Sequence, residues 1–208
     1  MPGDKRAMDA LPVTDALPAL ATALAARGIA VLQAPPGAGK TTVVPLDLLA
    51  RGVVTGRILM LEPRRLAARA AATRMASLIG EPVGQTVGFR TRLESAVSAA
   101  TRIEVVTTGL LVRRLLGDPG LEGVSTIILD EIHERSLEAD LALALCLDAQ
   151  AVLRPDLRLL AMSATLDGAR LCAIMNAPLV ESAGRMHPVD IRHAARDIAH
   201  ARDLPEAM

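Results

Sequence analysis

From position 29 onward the chain alternates short apolar runs with longer stretches of helical period. Runs at 29–33, 57–61, 86–90, 103–107, 126–129, 157–162 and 179–181 are rich in aliphatic and β-branched residues and predict strands. Between most of them, apolar residues recur every three to four positions, predicting helices over 40–51, 64–79, 110–116, 137–153 and 168–175. Strand and helix alternate, and strands as uniformly apolar as Ile127, Ile128 and Leu129 belong to a parallel sheet covered on both faces. The fold class expected is therefore α/β, with helices on both sides of a mostly parallel sheet.

Ahead of the first strand, Lys5 and Arg6 precede an Ala/Leu-rich run over 16–26 that loosely imitates a secretory signal. Asp9, Asp15, Pro12 and Pro18 interrupt it, so residues 1–28 are expected to form a lead-in helix with Thr14 as its N-cap and Gly28 as its stop. No run of about 20 apolar residues is present, so no membrane span is expected. The closing ARDLPEAM reads as the start of another helix or linker with no stop signal.

Composition narrows the chemistry. With 208 residues and 51% hydrophobic content the chain can bury a real core. Net charge is zero, so any basic surface must be local. Phe89 is the single aromatic, which argues against a nucleic-acid site built on base stacking. Cys146 and Cys172 lie far apart in apolar helical patterns; they read as buried thiols in a reducing compartment, and a cytoplasmic location is expected. Of 23 basic residues only Lys5 and Lys40 are lysine, which makes the position of Lys40 informative.

Lys40 falls in APPGAGKTT, positions 34–42, after the first predicted strand and at the start of a helix. That is the context a phosphate-binding loop requires. Gly37 and Gly39, with Ala38 between them, allow the backbone to turn its N–H groups toward phosphate oxygens at a helix N-terminus. Lys40 reaches the β and γ phosphates, Thr41 supplies a hydroxyl for Mg²⁺, and Thr42 completes the set. Ala34 stands where a glycine is usual.

The stretch TIILDEIHERS, 126–136, drives a buried strand into a cluster of ionisable groups. A parallel sheet gathers its strand ends in one crevice, so this end can face the Lys40 loop. Asp130 is then a holder of Mg²⁺ through water, and Glu131 the carboxylate that orients and deprotonates an attacking water. Glu134 and Arg135 read as a helix-start pair without a catalytic role.

Here the sequence resembles the DEAH/RHA branch of superfamily 2 helicases, with Asp130-Glu131-Ile132-His133 carrying Ile where Ala is usual. The resemblance runs from Leu11 to the end and includes the phosphate loop, LEPRRLAAR at 61–69, TTGLLVRRL at 107–115, DEIHERS, SAT at 163–165 and GRMHPV at 184–189. The combination looks most like the bacterial HrpB-type ATP-dependent helicases. It implies a RecA-like P-loop NTPase domain over 29–193 and a truncated linker over 194–208 toward a second RecA-like domain in cis. It also implies ATP with Mg²⁺ as cofactors and single-stranded nucleic acid as partner, RNA being favoured.

By that resemblance Pro63, Arg64 and Arg65 contact the nucleic-acid backbone; their residue types at a strand-to-helix junction suit phosphate, and ordinary surface arginines are the alternative. Thr107, Thr108 and Gly109 occupy the next such junction, where a helix cap and a phosphate contact can coexist. Arg74 matches an arginine that lies against adenine in the family. Ser163 and Thr165 are expected to hydrogen-bond His133 through their hydroxyls and so couple hydrolysis to the nucleic-acid side. Arg90 and Arg92 are either backbone contacts or a solvated loop, Arg113 and Arg114 are expected on a helix surface, His193 and His200 are expected in solvent, and His187 has no assigned mechanism. A GTPase is disfavoured because no NKxD-type guanine-reading loop is present; a nucleotide-binding module without unwinding activity is the competing reading.

Overall fold

A computed structural model describes residues 11–164 and 168–184. The elements are α1 (Leu17–Arg27), β1 (Ile29–Gln33), α2 (Lys40–Ala50), β2 (Arg57–Leu61), α3 (Arg65–Leu78), β3 (Val87–Arg90), β4 (Ser95–Ala96), β5 (Ile103–Val106), α4 (Thr108–Gly117), β6 (Val124–Leu129), α5 (Leu137–Asp148), β7 (Arg158–Ser163), α6 (Gly168–Met175) and β8 (Leu179–Glu181). Their strands form one eight-stranded sheet in the order β4-β3-β5-β2-β6-β7-β1-β8. Every pairing is parallel except β3 with β4.

Period-two alternation distributes the strand side chains between two cores. Ala30 and Leu32, Ile58 and Met60, and Leu160 and Met162 face α1, α2 and α3. Their neighbours Val31, Leu59, Ile127, Leu129 and Leu159 face α4, α5 and α6. Both faces are covered, which is why these strands carry so little polar sequence.

The lead-in differs from expectation. Pro12–Ala16 forms a 3₁₀ turn, and α1 begins at Leu17 without a side-chain cap, so Thr14 does not cap the helix. Tertiary bonds set this entry: the Val13 N–H donates to the Ala38 carbonyl at 3.1 Å, and the Ser182 hydroxyl donates to the Pro12 carbonyl at 3.0 Å. Gly28 does end α1, with φ +68°. The predicted 137–153 helix is α-helical to Asp148 and then widens into a π turn over Ala149–Leu153. There the Gln150 amide donates to the carbonyls of Gly28 and Leu157, tying the turn to the sheet. Cys146 is buried, and desolvation pushes its thiol up to about 12; Cys172 is half-buried. Among the described residues no helix is long and apolar enough to cross a membrane.

Candidate active site

The phosphate-loop candidate leaves β1 and enters α2. Gly37 and Gly39 adopt φ +76° and +93°, a region in which a side chain is strained. A Cβ on Gly39 would stand 2.8 Å from Leu11 Cδ1, so the lead-in packs directly against the loop. Ala34 sits where a strict pattern has glycine; its N–H donates to the Ser163 carbonyl at 3.0 Å, an ordinary extension of the β1–β7 ladder.

β7 lies between β1 and β6, yet the ends of the two outer strands meet across it. The Thr41 hydroxyl donates to Asp130 Oδ2 at 2.6 Å, and Lys40 Nζ lies 2.7 Å from Glu131 Oε1. Lys40 is 5% exposed and Asp130 fully buried. Glu131 has φ +51°, costly for a residue with a Cβ. That kink turns the Glu131 N–H onto Asp130 Oδ1 at 2.9 Å and its carboxylate back toward Lys40.

His133 continues the chain of contacts. Its Nε2 lies 3.3 Å from Glu131 Oε2, and its Nδ1 accepts from the Ala164 main-chain N–H at 3.3 Å. An N–H can only donate, so Nδ1 is unprotonated and Nε2 carries the hydrogen facing Glu131. From the SAT segment, the Ala164 main-chain N–H thus reaches His133. Ser163 is buried at the end of β7, and Thr165 lies outside the described residues.

Two acids carry perturbed ionisation. Burial raises Asp130 to about 6, opposed by the Thr41 hydrogen bond and the charge of Lys40. Burial and then the charge of Asp130 raise Glu62, the residue after β2, to about 7. From sequence Glu62 reads only as the first residue of the Glu62-Pro63-Arg64-Arg65 stretch, with no role of its own; here its Oε1 accepts from the Arg64 N–H at 3.4 Å.

On the outer side, Arg64 precedes α3 and its Nη2 lies 2.5 Å from Glu134 Oε1. Glu134 belongs to a 3₁₀ turn, Ile132–Glu134, and Arg135 pairs with Asp140, so neither starts α5. Ser136 does, accepting from the Ala139 N–H at 3.1 Å. Pro63 and Arg65 flank Arg64 on this rim. Thr107 holds the N-cap position of α4 without a side-chain capping bond, Thr108 is buried, and Gly109 follows in the first turn. Arg74 is exposed on α3.

The predicted surface arginines behave differently. Arg90 Nε lies 2.9 Å, and Arg114 Nη1 3.5 Å, from the carboxylate of Glu104, which Arg57 Nη1 also reaches at 3.1 Å. Glu104 is fully buried and was missed, because its partners come from three separate elements. Arg92 and Arg113 are exposed, and His187, His193 and His200 lie outside the described residues.

The sequence profile of the DEAD/DEAH box helicases matches residues 15–173. The chain belongs to that family. Among curated DEAD/DEAH relatives, it is 54% identical to the ATP-dependent RNA helicase HrpB of Escherichia coli K12 over 187 residues, covering 89% of this chain and 23% of HrpB. The putative ATP-dependent RNA helicase DHX57 of Homo sapiens is 41% identical over 168 residues, 78% of this chain and 12% of that protein. A crystal structure of the E. coli DEAH/RHA helicase HrpB superposes with TM-score 0.83 at 55% identity, covering 87% of this chain and 23% of that one. A second, of the E. coli DExH-box NTPase HrpB, gives 0.82 at 52%, covering 93% and 24%. The fold is therefore the α/β, RecA-like domain of a DEAD/DEAH helicase, and the chain spans about a quarter or less of these relatives' lengths.

Proposed function

We propose that this chain is the first motor domain, over 29–193, of a DEAH-type ATP-dependent RNA helicase that works in the cytoplasm. Residues 194–208 then lead toward a second RecA-like domain in cis. The observation that carries the proposal is the pair of contacts joining the α2 N-terminus to the end of β6, Thr41 with Asp130 and Lys40 with Glu131.

The residues present suit a nucleoside triphosphate with Mg²⁺. Gly37 has open space within 4 Å of its Cβ position, so phosphate can approach the loop backbone there. Among the described residues no three His, Cys, Asp or Glu side chains are gathered to hold a metal unaided. Thr41 and Asp130, joined at 2.6 Å, would hold that ion together with substrate oxygens, as Mg²⁺ is commonly held. When bound, the ion neutralises charge that develops on the phosphates.

Within this frame Lys40 and the loop N–H groups, with Thr42, bind phosphate, and Arg74 lies along the base. Glu131 accepts a proton from the attacking water, held in orientation by the Nε2–H of His133. His133 passes the state of the site to the segment holding Ser163 and Thr165 through Ala164. Arg64, Arg65 and the α4 N-terminus, Thr107 to Gly109, grip the backbone of single-stranded RNA. Closure of the second domain supplies an arginine finger, an element worth about 10³- to 10⁵-fold in rate where it operates, so the isolated chain is a slow ATPase.

Calorimetry of Mg-ATP binding tests this. Wild type and Glu131→Gln bind, while Lys40→Ala does not. Equal binding by all three would remove the Lys40 loop as the phosphate site.

A further inference from the structure

Beside α4, away from the nucleotide loop, lies an open groove of about 570 Å³ lined by Arg57, Arg90, Arg113 and Arg114 against two acids, Glu104 and Asp118. We propose that it is a second phosphate subsite, taking the backbone of a nucleic-acid strand that continues past the α4 N-terminus. This rests on the reading of that N-terminus as a nucleic-acid contact.

Charge comes first. Glu104 is fully buried and needs compensation, but three guanidinium groups surround one carboxylate. Arg57 also donates Nε to the Thr101 carbonyl at 3.2 Å, which anchors it as the structural partner. The Asp118 carboxylate accepts from the Glu122 N–H at 3.0 Å. Arg113, at the rim, has no hydrogen-bond or ion-pair partner among the described residues. The groove thus holds more cation than its acids neutralise.

Geometry comes second. Each guanidinium offers five donors, and contacts to Glu104 engage a single nitrogen of each, leaving the rest of the fork directed elsewhere. The side chains of Arg57, Arg90 and Arg114 remain 30%, 45% and 32% exposed, so solvent, and hence an anion, reaches them. Fixing the arginines on a buried acid lowers the entropy lost when they bind. Fork-shaped donors match phosphate oxygens.

Position comes third. Four strand spacings separate β5 from β1, about 19 Å, so the groove is distinct from the Lys40 loop. Gly109 and Arg113 are four residues apart on α4, about 6 Å along its axis. A strand held at the helix N-terminus therefore meets Arg113, and then Arg90 and Arg114, as it continues.

The test is fluorescence anisotropy of this chain with labelled single-stranded RNA of about 20 and about 6 nucleotides, titrated with salt. Arg113→Gln is the main variant, because it breaks no contact in the fold; Arg90→Gln is the second, and Arg27→Gln the charge-matched control. On the long strand both groove variants weaken binding by about 3- to 10-fold and lower the salt slope by about 0.7 each, with the short strand and Mg-ATP binding unaffected. Behaviour equal to the control on the long strand overturns the subsite. If Arg65→Gln weakens both strands while the groove variants match the control, the subsite fails and the nucleic-acid reading stands. If wild type binds neither strand, the nucleic-acid reading fails and the subsite with it. Loss of tripolyphosphate binding in Arg113→Gln with unchanged RNA binding overturns the proposal in favour of a small-anion site.

Discussion

The Lys40–Glu131 contact can be tested as a coupled pair in the absence of nucleotide. Lys40→Met removes a buried cation that sits beside Glu131 and the fully buried Asp130. Breaking a buried pair from one side costs about 3–5 kcal/mol, because the remaining charge is stranded. The Glu131 side chain is 24% exposed, so water screens part of that loss and about 2–3 kcal/mol is expected. In a domain of this size about 1 kcal/mol moves Tm by about 2–4 °C, so Lys40→Met should melt roughly 5–10 °C lower. Glu131→Gln costs about 1 kcal/mol or less, since it relieves repulsion from Asp130 while Lys40 keeps that neighbour. The double variant should therefore recover stability, with a coupling of about 1–3 kcal/mol by urea unfolding in EDTA. A coupling below about 0.5 kcal/mol would show that Lys40 and Glu131 do not depend on each other, and would sink the view that the lysine neutralises this acid before phosphate arrives.

Four further outcomes follow from the same coordinates. Glu62 is raised from about 4.5 to about 7, so below the lower value its burial costs nothing, and as pH rises through the upper one the folded chain loses stability; Glu62→Gln should flatten this, gaining about 2–4 °C at pH 8 and nothing at pH 4.5, and an equal gain at both pH values would refute it. The Thr126 hydroxyl is buried without a hydrogen-bond partner among the described residues, so Thr126→Val should stabilise by about 1 kcal/mol in chemical unfolding, where a loss would mean the hydroxyl is satisfied. Glu104→Gln leaves three guanidinium groups, each 30–45% exposed and so partly screened by water, without their carboxylate and should cost about 1–3 kcal/mol; a cost under about 0.5 would show the cluster to be energetically loose. Glu134→Gln frees Arg64 from its ion pair and should tighten single-strand binding up to about fivefold at low salt, whereas weaker binding would mean Glu134 positions Arg64 for its ligand.

Much of the fold was legible because the physics is local. β1, β2 and β8 fall at the predicted positions, each an aliphatic run with no competing helical period. The turn from β1 into α2 was legible for the same reason, since Gly37, Gly39 and a lysine at a helix start stand in adjacent residues. What stayed hidden depends on partners distant in sequence. Nothing near Glu104 predicts Arg57, Arg90 and Arg114 as its companions. The Ala164 N–H that meets His133 has no side-chain signature at all. Thr14 looked like a cap, yet Pro12 and the Val13 bond to Ala38 draw the segment into a 3₁₀ turn against the loop.

The acid cluster also bears on the order of events the site permits. On the proposed function, the single charge of Lys40, 2.7 Å from Glu131, cannot neutralise that acid and a phosphate together. When it turns toward a phosphate, Glu131 and Asp130 lose their nearby lysine just as more negative charge arrives. Such a move is favourable only if positive charge enters with the ligand. Thr41 and Asp130, already joined at 2.6 Å, stand where a divalent cation carried by the phosphates can replace that bond. On the proposed function, burial of Asp130 is then the cost of a site that receives its cation with its nucleotide, and Lys40 is the counter-ion that offsets Glu131 and Asp130 until then.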